Sequence, residues 1–185
     1  MGTCDGIVHI RRAIEADARG IAEVHVRTWQ QAYRGTLPLA FLQALSVDTR
    51  EVFWRDELHA LAPDRRPWVA ETGRGIVGFV SAGLGRDEAA PPLTGEVYAM
   101  YVLPDCWDRG VGRTLLAHAE HDLVDHGYSE AEMWILSDND RARGFYEKAG
   151  WRADGGIKRV AIGGEEFEEV RYRLTLEKSN VAGLI

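Results

Sequence analysis

The run Arg109-Gly110-Val111-Gly112-Arg113 has the composition of an anion seat. Glycines at the mouth of a helix let backbone N–H groups approach a phosphate closely, and the helix dipole adds partial positive charge there. Arg109 and Arg113 add full charges. The run lacks the Gly-Lys-Ser/Thr of a Walker P-loop and the third glycine of a dinucleotide-binding turn. Taken alone, it is equally a glycine-eased helix start. A second informative stretch is Asn139-Asp-Arg-Ala-Arg-Gly-Phe-Tyr146-Glu-Lys-Ala-Gly150-Trp151. Asn139 and Tyr146 stand two helical turns apart, so on a helix their side chains share one face. A phenol is protonated at neutral pH and can donate a proton. The plainer reading of Tyr146 is a core tyrosine with a satisfied hydroxyl, and that of Asn139 an N-cap.

The elements that must position these residues follow from pattern. Val97 to Leu103 is apolar, rich in β-branched and aromatic residues, and ended by Pro104, as a buried strand would be. Leu115, Leu116, Ala119 and Leu123 recur at helical spacing, and Gly127 stops that helix. Glu132 to Leu136 is the next strand. A right-handed strand–helix–strand crossover makes the two strands parallel neighbours, with their C-terminal ends at one edge, where ligands bind in open α/β sheets. The helix carrying Tyr146 begins at Asp138 or Asn139 and ends at Gly150.

Upstream, Val8 to Ala13 reads as a strand and 18–33 as a helix, with Trp29 and Tyr33 sharing a face. Short helices follow Pro38 and Ser46 or Asp48. Trp68 to Glu71 and Ile76 to Leu84 form a hairpin, and Asp87 to Gly95, with Pro91-Pro92, is a loop. A terminal hairpin pairs 157–162 with 167–176 around Gly163-Gly164, and Lys178 to Ile185 is a tail. The order β-α-α-α-β-β-β-α-β-α-β-β predicts an α/β (α+β) fold with a mixed, mostly antiparallel sheet, one parallel pair and helices on both faces.

With both stretches in this order, the chain resembles the GCN5-related N-acetyltransferase (GNAT) family over roughly residues 8–176, most strongly over 96–151. Trp107-Asp108-Arg109-Gly110-Val111-Gly112 is similar to the family's pyrophosphate-binding pattern Gln/Arg-x-x-Gly-x-Gly/Ala, with Trp107 in the Gln/Arg place. The second stretch is similar to its Asn…Phe-Tyr-Glu-Lys-x-Gly-Phe segment, with Trp151 as the last aromatic. The resemblance implies a splayed parallel pair that admits acetyl-CoA as co-substrate. The donor is an acyl thioester and the acceptor an amine. Asp108, Arg109, Gly110, Val111, Gly112, Arg113 and Thr114 would wrap the pyrophosphate. Met100, Tyr101 and Val102 would offer backbone groups to the pantetheine amides, and Asn139 would bond the pantetheine arm. Tyr146 would protonate the departing thiolate, and Glu96 or a water chain would take the amine proton. Trp29, Tyr33 and Tyr98 would wall the acceptor. The plainer readings are core staples for Trp29 and Tyr33 and a solvated strand-start carboxylate for Glu96. Trp134 reads as core before pocket.

Composition bounds the rest. A chain of 185 residues with 45% hydrophobic content suits one domain, 1–185, with a sizeable core. No apolar run is long enough to span a bilayer and the N-terminus shows no signal-peptide core, so a cytoplasmic protein is expected. Cys4 and Cys106 are the only cysteines, which suggests a reduced compartment and no disulfide framework. The net charge of −7 disfavours nucleic acid, including charged transfer RNA as acceptor, and is compatible with a cationic amine. His118 and His121 have helical half-site spacing but no third ligand, so no metal is expected. The expected activity is acetyl transfer to the primary amine of a small molecule. The alternatives are a protein or peptide amine acceptor and a non-catalytic acyl-CoA-binding module. A homodimer through the terminal hairpin strand is a further expectation.

Overall fold

The computed structural model describes residues 4, 6–87, 91 and 93–177. In chain order the elements are β1 (His9–Arg12), α1 (Ala18–Ala32), α2 (Leu39–Ala44), α3 (Val47–Ala60), β2 (Trp68–Thr72), β3 (Gly75–Leu84), β4 (Thr94–Val102), α4 (Val111–Asp125), β5 (Glu130–Leu136), α5 (Asp140–Lys148), β6 (Arg152–Ile162) and β7 (Glu165–Thr175). The sequence pattern predicts this same order. Part of the expected 87–95 loop and the expected tail from Lys178 lie outside the described residues.

The strands form one sheet in the order β1-β2-β3-β4-β5-β7-β6. Every neighbouring pair is antiparallel except β4 and β5. Helices cover both faces. On β3, Phe79 meets His25 of α1 and Trp54 of α3, with ring centroids 6.0 and 4.9 Å away. Its neighbour Gly78, which faces the opposite way in a strand, lies under Leu115 of α4. A Cβ at Gly78 would come within 3.0 Å of that leucine, so the glycine allows the helix its close approach. Phe79, Leu58, Leu115, Leu116, Trp151 and Tyr172 are fully buried in the resulting core.

The feature that positions the site is where pairing stops. β4 and β5 are in register only at Thr94–Glu130, Gly95–Ala131 and Glu96–Glu132. Beyond Glu96 the strands separate and a cleft opens between them. On its other side β4 stays bonded to β3, with one irregularity: Ser81 opposes Ala99 and Ala82 opposes Val97, which leaves Tyr98 as an extra, bulged residue.

Two expectations are corrected. The terminal hairpin is longer than 157–162 and 167–176, because β6 begins at Arg152 and stays paired to β7 through a bulge in which Asp154, Gly155 and Gly156 stand opposite Arg171. The expectation of two separate thiols also fails, since Cys4 and Cys106 are disulfide-bonded with Cα atoms 5.3 Å apart. Two lone cysteines 102 residues apart give no pairing signal in sequence. The fold brings the segment before β1 against the turn after β4.

Candidate active site

The cleft holds a cavity of about 530 Å³. One wall is β4 from Val97 to Val102, and the opposite wall is Met133, Trp134 and Ile135 of β5. α5 contributes Asp140, Arg141, Ala142, Gly144, Phe145, Tyr146 and Lys148, and α1 contributes Thr28, Ala32 and Tyr33. The turn into α4 closes the remaining side with Cys106, Trp107, Asp108, Gly110, Gly112 and Arg113.

That turn carries two left-handed backbone positions. Gly110 is the N-cap of α4 with φ +83°, a left-handed conformation that L side chains adopt at a cost. Asp108 also has positive φ, +59°. A Cβ on Gly112 would meet Phe145 at 3.5 Å, ordinary contact, so Gly112 keeps the helix mouth low rather than avoiding a clash. Arg109, Val111 and Thr114 do not line the cavity. Val111 is buried beneath the turn, and the Thr114 hydroxyl donates to the Gly110 carbonyl at 3.2 Å. Trp107 has a defined task. Its indole N–H donates to the Val102 carbonyl at 2.7 Å, and Thr28 donates to that same oxygen at 3.2 Å. The Val102 carbonyl is thereby occupied, and since Leu103 N–H donates to the Val77 carbonyl opposite it, ladder alternation turns the Tyr101 main chain toward β3 and the Met100 main chain toward the cavity.

Asn139 does two jobs, as its spacing allows. It is the N-cap of α5, its Oδ1 accepting from the Ala142 N–H at 3.1 Å, and it lines the cavity. Tyr146 stands on the same face of α5, buried, with no hydrogen bond to its hydroxyl among the described residues. Burial first, and the nearby Tyr33 second, push its phenol above the usual range. Tyr101 is pushed the same way by burial and by Tyr33, and Tyr33 by burial, opposed by a contact with Asn139. Three protonated phenols therefore face one cavity.

The acceptor-side expectations divide. Tyr33 and Tyr98 line the cavity. The Tyr98 hydroxyl donates to the Leu84 carbonyl at 2.6 Å, and Arg86 lies 4.5 Å over its ring. Trp29 does not line the cavity but packs edge-on against Tyr33 at 5.2 Å and behind Tyr101. Glu96 is 3% exposed, and the structure does not bring it into the cavity. Arg86 holds both its oxygens, Nε to Oε2 at 3.0 Å and Nη2 to Oε1 at 2.5 Å, and the Arg86 N–H adds a third bond at 3.0 Å. These bonds fill three of the carboxylate's about four acceptor sites and hold the group away from the cavity lining. Trp134, read from sequence as core before pocket, is a cavity wall flanked by Lys158 at 4.2 Å and Arg171 at 5.5 Å. The apolar run around it hides which face is wet. Met133, Ile135, Phe145, Arg141 and Thr28 were equally silent, since only the separation of β4 from β5 exposes them.

A cleft between splayed parallel strands, a glycine turn at a helix mouth and a protonated phenol facing both can hold a pyrophosphate-linked thioester and protonate its sulfur. Comparison with known proteins agrees. The family model described as "Acetyltransferase (GNAT) family" matches residues 23–151. The chain is 33% identical over 134 residues to "Uncharacterized N-acetyltransferase YuaI" of Bacillus subtilis (strain 168), covering 72% of this chain and 74% of that one. It is 28% identical over 171 residues to "Probable N-acetyltransferase Rv2775" of Mycobacterium tuberculosis, covering 90% and 93%. Among solved structures, the PaiA N-acetyltransferase of Thermoplasma acidophilum in complex with coenzyme A superposes with a TM-score of 0.69 at 18% identity, over 91% of this chain and 99% of that one.

Proposed function

The chain belongs to the GNAT acetyltransferase family, and from that premise we propose that it moves an acetyl group from the thioester of acetyl-CoA directly to the primary amine of a small molecule. The cavity residues fit that donor. The positive φ of Gly110 opens the mouth of α4 to phosphate oxygens. The cavity-facing main chain of β4 beyond Glu96 is available to amides. In this reading the amine nitrogen bonds to the acetyl carbon, the carbon–sulfur bond breaks, and the sulfur takes the Tyr146 proton. An ordinary phenol already stays protonated at neutral pH, and burial holds Tyr146 more firmly so. One cavity-side main-chain N–H of β4 would stabilise the developing oxyanion. Water takes the amine proton, because Glu96 is committed to Arg86.

One observation carries the small-acceptor reading. The segment after β3 is tied across the sheet to β7, with Arg171 Nη1 2.6 Å from Asp87 Oδ2. Together with Arg86 over Tyr98, this draws that segment toward the aromatic walls Tyr98 and Trp134, where an extended peptide would need an open groove. A cytoplasmic setting goes with acetyl-CoA as donor.

The test is release of free CoA thiol from acetyl-CoA in the presence of a panel of small primary amines, set beside peptides with free N-termini or lysines. Turnover with small amines alone is expected. Turnover confined to peptides would replace the small acceptor with a protein one. No turnover with any amine, despite acetyl-CoA binding, would favour a binding module.

A further inference from the structure

At the mouth of the cavity one cation bridges two walls. Arg141, in the first turn of α5, lies with its guanidinium 4.0 Å over the ring of Trp107 in the turn before α4. Its Nη2 donates to Asp108 Oδ2 at 3.0 Å. All three residues line the cavity. Trp107 is itself fixed by its bond to the Val102 carbonyl. Stacking holds the plane of the guanidinium but uses none of its N–H donors. The pair with Asp108 is exposed, the two side chains being 52% and 87% accessible, and exposed pairs are weakly held. The geometry therefore presents a preoriented cation whose present partner is easily exchanged. Arg113 and Lys148 also line the cavity, but neither is stacked in place.

We propose that Arg141, held flat on Trp107, is the phosphate-binding cation of the CoA nucleotide, giving up Asp108 for phosphate oxygens when the cofactor enters. The inference rests on acetyl-CoA as donor. It assigns to α5 a charge that position 107 does not bring, and it makes Trp107 the platform for that charge. Arginine binds phosphate in a bidentate fork, and a charge-assisted bond of this kind corresponds to about tenfold in affinity.

The test is titration calorimetry of the wild type, R141Q, R141K and W107A with CoA and with dephospho-CoA, and a thermal-shift series with acetyl-pantetheine, which carries neither phosphate group. The expected result is CoA binding about tenfold weaker in R141Q, partly rescued in R141K, with a shallower dependence of affinity on salt and an unchanged response to acetyl-pantetheine. W107A should weaken CoA binding in the same direction. A defect that persists with dephospho-CoA assigns the pyrophosphate, and one seen only with CoA assigns the 3′-phosphate. CoA binding in R141Q equal to wild type would overturn the proposal, as would an equal loss for acetyl-pantetheine. If wild-type protein fails to bind CoA at all, the donor assignment itself falls, an outcome distinct from either.

Discussion

At the scale of single residues, Tyr146 is the proposed acid and His25 carries a hidden pH dependence. Removing only the Tyr146 hydroxyl in Tyr146→Phe deletes the acid while keeping the ring that packs against Phe145 and Trp151. Turnover should fall by about 10²- to 10⁴-fold, the usual worth of a positioned acid, while CoA affinity measured by calorimetry stays within twofold. A matching loss of affinity would show that the hydroxyl serves binding instead. His25 sits among Trp29, Trp54, Phe79 and Tyr101 and accepts from the Trp54 indole at 3.3 Å on Nδ1. Burial, with Arg50 adding to it, pushes its pKa down from 6.5 to about 3. The folded state thus prefers the neutral ring, and the unfolded chain binds the proton first. The stability that follows is full above about pH 6.5 and drains as pH falls toward 3, by at most about 1.4 kcal/mol per pH unit. Urea melts across that range should show the loss, and His25→Leu should flatten it. An unchanged slope in the variant would put the acid sensitivity elsewhere.

At the scale of elements, the turn into α4 is the exacting one. Gly110→Ala places a Cβ where φ is +83°, so the cost is backbone strain of about 1–2 kcal/mol even though no atom lies within 4 Å. Chemical denaturation should register that loss, and CoA affinity should drop with it because the N–H groups of the turn no longer converge. Unaltered stability would mean that the turn relaxes freely. This turn was legible from sequence because glycine spacing reports backbone conformation directly. So were β4, α4 and β5, whose apolar periods are strong, and the Asn139 cap. The separation of β4 from β5 was not legible in the residues themselves, since three register pairs followed by divergence leave no periodic trace. Glu96 shows the same limit: its place at the strand was readable, but its capture by Arg86, ten residues earlier in the chain, was not. Trp134 reads as core before pocket because a strand apolar on both faces looks alike whether it faces core or cavity.

At the scale of the whole molecule, two long-range ties bear on the site. Arg171–Asp87 draws the segment after β3 toward β7, and Cys4–Cys106 fastens the N-terminal segment to the turn that leads into the anion seat. In the chain-entropy account a cross-link closing a loop of this length stabilises by about 4–5 kcal/mol, through the unfolded chain. Reductant should lower the unfolding free energy by that amount and raise the count of reactive thiols from none to two. Two reactive thiols before reductant is added would contradict the cross-link. No helix among the described residues is long and apolar enough to cross a membrane. The central claim, that this cleft is built for acetyl-CoA, is tested most directly by thermal unfolding with and without that ligand, with ATP as the control. At 100 times its dissociation constant a ligand adds about 2.7 kcal/mol, which in a domain of this size raises the melting temperature by roughly 5–10 °C. A rise of that size with acetyl-CoA and none with ATP is the predicted result; no rise at saturating acetyl-CoA would contradict the account.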